Sequence, residues 1–351
     1  MARTTNKKNA ASLLPLGALP APAKLFAAAF AAMMAAVCVL LSKTWESRLD
    51  YSFGYLAPVF ALYVLYDRYP KTSRILSADY ASDTLPRLAK TAADLFFGAM
   101  LFLGLLVYAG FAFIYSRTLN WGVPSFSMTF GFCFAAFAMA YFSSARNIRG
   151  GAIPLRERLG YTALFVFPCF IWLVAAPLFG AVEEKISLFL LSKVAAVVVF
   201  VMDFLGFIVE LKGNTISFPT GTVGVADACS GIRSLTACLF AGSFLAAVMF
   251  DKFWKKIALV ASSMCFAFLF NLVRALFLSL WAYENGSDSI SGFVHDAAGY
   301  FVLGMTVLGL LGLVWLFNIN PVPAEFRDGA AAQSDSDGGN SSETDSASGG
   351  K

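Results

Sequence analysis

This sequence is poor in charge and in histidine. Of its 351 residues only 14% are Asp, Glu, Lys or Arg, against 58% hydrophobic, and its mean hydropathy is +0.70. That balance excludes an ordinary soluble globular domain. A single histidine, His295, excludes a His-rich metal site, and six cysteines without any C-x-x-C spacing offer no cluster in its place. Neither a metal nor a cofactor is therefore expected. The apolar runs lack the alternation of transmembrane strands, so the membrane-crossing segments must be helices. A net charge of +4 calls for no nucleic-acid partner, because the basic residues sit between the apolar runs, where orientation rules put them.

Runs long enough to cross about 30 Å of hydrocarbon recur along most of the chain. The candidates are 25–42, 51–66, 95–115, 125–142, 161–182, 229–250, 257–283 and 295–317. Basic residues gather in three of the intervening loops: Arg68, Lys71, Arg74, Arg87 and Lys90; then Arg146, Arg149, Arg156 and Arg158; then Lys252, Lys255 and Lys256. The positive-inside rule makes these loops cytoplasmic, together with the N-terminus. The segment 186–209 is apolar enough to pass for a ninth crossing, although Lys193 and Asp203 interrupt it. A crossing there would turn the Lys252, Lys255, Lys256 loop outward, so an interfacial or re-entrant helix is expected instead.

The expected fold is thus all-α: a polytopic membrane helical bundle of about eight transmembrane helices plus one interfacial or re-entrant helix, with both termini cytoplasmic. It divides into a cytoplasmic N-terminal segment (1–24), a transmembrane domain (25–318) and a cytoplasmic tail (319–351). The tail is rich in Ser, Gly, Asp and Ala and too poor in large apolar residues to offset its ordering entropy, so it is expected to be disordered.

In this topology three unusual residues share the outer face: Cys229 opens the sixth span, Arg274 lies roughly 12 Å below the outer end of the seventh, and His295 opens the eighth. Each has a plain structural reading. Cys229 with Ser230 and Gly231 suits close helix packing; Arg274 suits an arginine that snorkels or pairs; His295 suits a surface imidazole bonded to Asp296. Each also has a chemical reading. A thiol at a helix N-terminus is biased toward thiolate, with Asp227 as a helix cap and Ser230 as a substitute nucleophile. An intramembrane cation stabilises developing negative charge, and Arg233, one turn after Cys229, is its rival for that role. His295 is the one candidate imidazole partner for a thiol. Together they suit acyl transfer, with thiolate attack on a carbonyl, imidazole proton transfer and a guanidinium at the oxyanion.

VADACSGIRSL at 225–235, NLVR at 271–274 and HDAAG at 295–299 resemble the three signature blocks of the exosortase/archaeosortase family. WESRLDYSFGYLAPVFALYVLYDR at 45–68 is similar to the family's opening block, and GNTISFP at 213–219 to its external loop. The resemblance implies a multi-pass inner-membrane cysteine protease or transpeptidase, with Cys229 as nucleophile and Arg274 and His295 completing the site. It further implies secreted substrates with a C-terminal sorting signal made of a Pro-Glu-Pro-type motif, a transmembrane helix and a basic cluster. The cleaved protein is released or passed to a surface glycan or lipid acceptor. Asp227 is expected to orient the cysteine loop, Asn271 to hold Arg274 or substrate backbone, and membrane lipids to surround the whole. Two positions depart from the family pattern: Phe53 stands where a histidine is usual, and Asp227 where Glu is commoner.

Two other classes compete. One is a transporter in which Arg274 and His295 attract an anionic solute and Cys229 only packs; the lack of an evident inverted repeat counts against it. The other is an envelope polysaccharide assembly protein without a thiol intermediate.

Overall fold

The computed structural model describes residues 14–80, 85–117, 122–219, 221–224, 231–250, 252–290 and 292–318. Helices α1 (Ala21–Ser47), α2 (Ala57–Ser77), α3 (Arg87–Arg117) and α4 (Gly122–Ser143) come first. They are followed by the short helices α5 (Leu155–Ala163), α6 (Val166–Phe170) and α7 (Trp172–Ala175), then α8 (Gly180–Phe204). A three-stranded antiparallel sheet, β1 (Glu210–Lys212), β2 (Thr215–Phe218) and β3 (Gly221–Gly224), leads to α9 (Gly231–Met249), α10 (Phe253–Asn285) and α11 (Phe293–Asn318). In hydrocarbon backbone N–H and C=O groups must be paired, and a helix pairs them within its own segment, which is why the apolar runs fold as helices.

By length and composition six of the described helices can cross a membrane: α1, α3, α4, α8, α10 and α11, with α5 to α7 making a seventh if counted as one span bent by 53°. The polytopic helical bundle read from the sequence is the fold observed, with the expected eight crossings as an approximate count. The bend has a local cause. Pro168 lacks the N–H that would bond the carbonyl of Leu164, so the helix breaks there, and Arg68 Nη1 donates to that carbonyl instead. The expected span 161–182 accordingly ends at Ala175, and the non-helical stretch from Ala176 to Phe179 contains Pro177.

The hydrogen bonds between helices give the bundle two distinct ends. Thr236 Oγ1 near the start of α9 donates to Asp50 O in the 3-10 turn Leu49–Leu56 that follows α1. At the opposite end Arg68 Nη2 on α2 donates to Ala247 O near the finish of α9 (3.4 Å), and Lys255 Nζ on α10 to Phe317 O on α11. Leu14 N donates to Ser73 Oγ on α2 (3.0 Å), so both ends of the described chain lie at this same Arg68 end.

Helix α8 could cross a membrane by length and composition, and contacts at its start and just past its end both lie toward the Arg48 end of the bundle. Glu183 in its first turn forms a two-pronged ion pair with Arg48, which follows α1. Just past its other end, Phe207 packs edge-on against Tyr283 near the end of α10, ring centroids 5.0 Å apart. Leu191, Val194, Val198 and Met202 of α8 bury against Ile216 and Val223 of the sheet and Ala275 and Leu278 of α10. The larger core lies in the N-terminal half around Phe132, Met128 and Trp172, all essentially inaccessible.

Small residues set the closest approaches. A Cβ on Gly131 would stand 2.4 Å from Tyr108 N of α3, and one on Gly242 2.3 Å from Ser263 Oγ of α10. Gly309 meets Phe266 in the same way at 2.8 Å, whereas Gly304 faces open space. Gly131→Ala is expected to lower the stability of the detergent-solubilised protein by about 1–3 kcal/mol, because the obstacle is backbone, which cannot move aside. Gly98→Ala, with nothing within 4 Å, should leave the thermal midpoint unchanged. Arg48→Met is expected to destabilise by about 1–3 kcal/mol, less than a fully buried pair because Arg48 is partly solvated. The double change Arg48→Met with Glu183→Leu should recover most of that loss in thermal unfolding, since no buried carboxylate is then left alone.

Candidate active site

Helices α10 and α11 meet at the Arg48 end. Gly286 closes α10 with φ of +86°, a conformation that favours glycine, and a 3-10 turn, Ser287–Ile290, leads toward α11. This hairpin of helices sets Arg274, 11 residues or roughly 16 Å before the end of α10, against the first turn of α11. Arg274 Nη2 stands 2.9 Å from His295 Nε2 and 3.5 Å from His295 O.

The chemistry of the partners fixes the direction of that bond. A guanidinium can only donate, so Nε2 is the acceptor and the ring proton sits on Nδ1 of a neutral imidazole. His295 Nδ1 in turn lies 3.2 Å from Asp296 Oδ1, which accepts it. The result is a chain from carboxylate to imidazole to guanidinium, in which Asp296 sets the tautomer and His295 presents its lone pair to the cation. Arg274 Nε is buried and has no hydrogen-bond partner among the described residues. A cationic N–H left so placed is a strong site for an incoming oxygen.

A cavity of about 470 Å³ opens beside the pair, between α10 and α11. Phe277, Trp281, Phe293, Ala298, Phe301 and Val302 are among its walls, and Arg274 is its one polar lining residue among those described. The site therefore combines a fixed cation with an apolar slot, a pairing suited to an oxygen-bearing group attached to a hydrophobic segment.

Of the residues singled out in the sequence, Arg274 and His295 are brought into contact. Asp227, Cys229 and Ser230 lie outside the described residues, as does the side chain of Arg233, whose backbone belongs to the first turn of α9. The chain enters and leaves that segment at the same end of the bundle: Val223 of β3 shares a buried cluster with Ala298, one turn after His295, and α9 begins beside the turn at Asp50. Asn271, three positions before Arg274, is buried on α10.

Phe53 belongs to a stack of aromatic rings, 5.0 Å from Phe240 of α9, with Phe60 and Phe244 continuing the stack. An apolar ring there packs the 3-10 turn on α9. Sequence reading gave Asp296 only a passive part, as a surface partner of a lone histidine; its place next to His295 was the available signal.

A model of the transmembrane exosortase family matches residues 45–312. No curated protein and no solved structure matches the chain. The matched region starts at Trp45, whose indole Nε1 donates to Ala175 O (2.8 Å) across the bundle, and it runs into α11, taking in Arg274 and His295. A match over most of the chain, containing the helix hairpin that carries this pair, means that the chain belongs to the transmembrane exosortase family.

Proposed function

We propose that the protein is a transmembrane thiol peptidase or transpeptidase that cleaves C-terminal sorting signals of secreted proteins at the outer face of the cytoplasmic membrane. The observation that carries this reading is the Arg274–His295 contact, at the end of the bundle where the chain runs from β3 into α9. The basic residues Arg68, Lys71, Lys255 and Lys256 at the opposite end support placing that opposite end in the cytoplasm.

In the reaction Cys229 gives its thiol proton to Nε2 of His295. The imidazole, now cationic, can no longer accept from Arg274, so the guanidinium N–H is released toward the substrate. The thiolate attacks the peptide carbonyl carbon: a C–S bond forms and the carbonyl π pair moves to oxygen, where Arg274 holds it. Collapse of this intermediate breaks the C–N bond as His295 returns its proton to the leaving amine. Water or a nucleophile on a surface glycan or lipid then resolves the thioester. The arginine thus holds the histidine through Nη2 at rest and turns that N–H to the oxyanion once the imidazole is protonated, with Nε, which has no partner among the described residues, as a further donor. The apolar cavity between α10 and α11 offers a face for the substrate's own transmembrane helix beside the reacting atoms.

Co-expression with a secreted protein carrying a Pro-Glu-Pro motif, an apolar helix and a basic tail tests the reading on a gel. Wild type is expected to process it, and Cys229→Ala and Cys229→Ser to process none at unchanged enzyme level. Full processing by either variant overturns the thiol mechanism, because a transporter or a thiol-independent assembly protein would tolerate both changes. Arg274→Lys is expected to cut the rate by about 10²-fold or more, since an ammonium cannot reproduce the fork of the guanidinium. Asp296→Ala should lower kcat roughly tenfold with KM unchanged, the equivalent of one hydrogen bond to a charged group. A change confined to KM would instead assign Asp296 to substrate binding.

A further inference from the structure

The short sheet before α9 has two edges, and they differ. Strand β2 lies in the middle, so β1 and β3 each turn one side outward. The β1 edge carries Glu210 and Lys212, whose side chains pair at 3.0 Å, and charges of this kind discourage a further strand. The β3 edge, Gly221-Thr222-Val223-Gly224, carries no charge. Among the described residues, no backbone group outside the sheet bonds to it.

The register shows which groups that edge offers. Gly213 and Asn214 alone separate β1 from β2, so Lys212 and Thr215, which close this two-residue hairpin, are a hydrogen-bonded pair. Alternation then turns the N–H and C=O of Ile216 and Phe218 toward β3, where their partners are Val223 and Gly221. Thr222 and Gly224 are left with both groups facing away from the sheet. Thr222 is exposed, and Gly224 has no side chain to keep a second backbone at a distance. Val223, between them, belongs to the buried cluster that holds Ala275, next to Arg274, and Ala298, one turn after His295. The edge is thus anchored to the two helices of the candidate site, and five residues of chain, at most roughly 18 Å, separate Gly224 from Cys229.

We propose that the free edge of β3 takes the extended segment of the substrate just before its transmembrane helix, as a fourth strand beside Thr222 and Gly224. This docking rests on the peptidase reading and deepens it by naming where the substrate's backbone is held. An extended segment carries unpaired N–H and C=O groups along its length, and an edge strand satisfies them without demanding particular side chains. The direction follows from the two ends of the substrate. Its helical part faces the slot between α10 and α11, so the residues that pair with β3 come before it and run toward Cys229, as β3 itself does. The added strand is therefore parallel to β3, with the evenly spaced, slanted hydrogen bonds of such a pair.

The test uses full-length Cys229→Ala protein in detergent and a synthetic substrate that wild type processes, so that binding is read without cleavage. Thr222→Cys is added, and one cysteine is moved residue by residue through the substrate segment before the apolar helix. Mild oxidation is expected to give cross-links on a non-reducing gel at alternate substrate positions only, the period of a strand, and none with Cys229→Ala alone. Cross-links of equal strength at every position, or at none, overturn the docking while wild-type processing, and with it the peptidase reading, stands. Cross-links between two copies of the Thr222→Cys protein in place of substrate would reassign the edge to self-association and reject the proposal. Thr222→Pro removes one outward N–H and spares the ladder to β2, so it should weaken binding of labelled substrate roughly fivefold, the loss of one main-chain hydrogen bond. Thr222→Val keeps that N–H and should bind as the parent does. Equal binding by the Thr222→Pro and Thr222→Val proteins, at unchanged thermal midpoint, also overturns the docking.

Discussion

The constraint on which this structure depends is that a backbone polar group inside hydrocarbon must be paired. It makes the apolar runs helical, and it also explains the one broken span among the described residues. Pro168 cannot bond the carbonyl of Leu164, and the vacated place is filled by a guanidinium from another helix. Arg68 thereby joins α2 to the bend and, through Ala247 O, to α9. A single missing N–H thus leads to a bent segment and to a charged residue held between helices.

The opposite end is organised by charge under the same low-dielectric rules. Arg48 and Glu183 hold the start of α8 at the 3-10 turn after α1, and Phe207, just past its end, packs on Tyr283 near the finish of α10. Arg274, the most deeply placed cation of α10, is stabilised by a neutral imidazole and not by a carboxylate. An ion pair would have neutralised it and left it bound; a neutral acceptor keeps its full positive charge and lets a stronger acceptor displace it. That difference is what makes the pair suited to stabilising an oxyanion that exists only briefly.

Much of the fold was legible from composition and spacing. The spans ending near Ser42, Tyr115 and Phe142, and the two helices that carry Arg274 and His295, all have the long apolar runs that only a helix can bury, and the apolar segment 186–209 is likewise helical, within α8. The bend at Leu164 was not legible, because Pro168 is tolerated in many membrane helices and its effect depends on whether a neighbour can supply the missing donor. The crowding at Gly131 was equally hidden, since a glycine in an apolar run reads the same whether it faces lipid or another backbone.

The sequence by itself determined the all-helical membrane bundle, the family and the identities of the chemically unusual residues, because hydrophobic length and signature spacing are local properties of the chain. Only the tertiary structure decided that Arg274 donates to His295, that Asp296 accepts from the other ring nitrogen, and that Lys71 and Lys256 line one cavity. Those relations join residues on different helices, or depend on how a ring is turned. Helix packing sets both, through contacts that no single stretch of sequence contains.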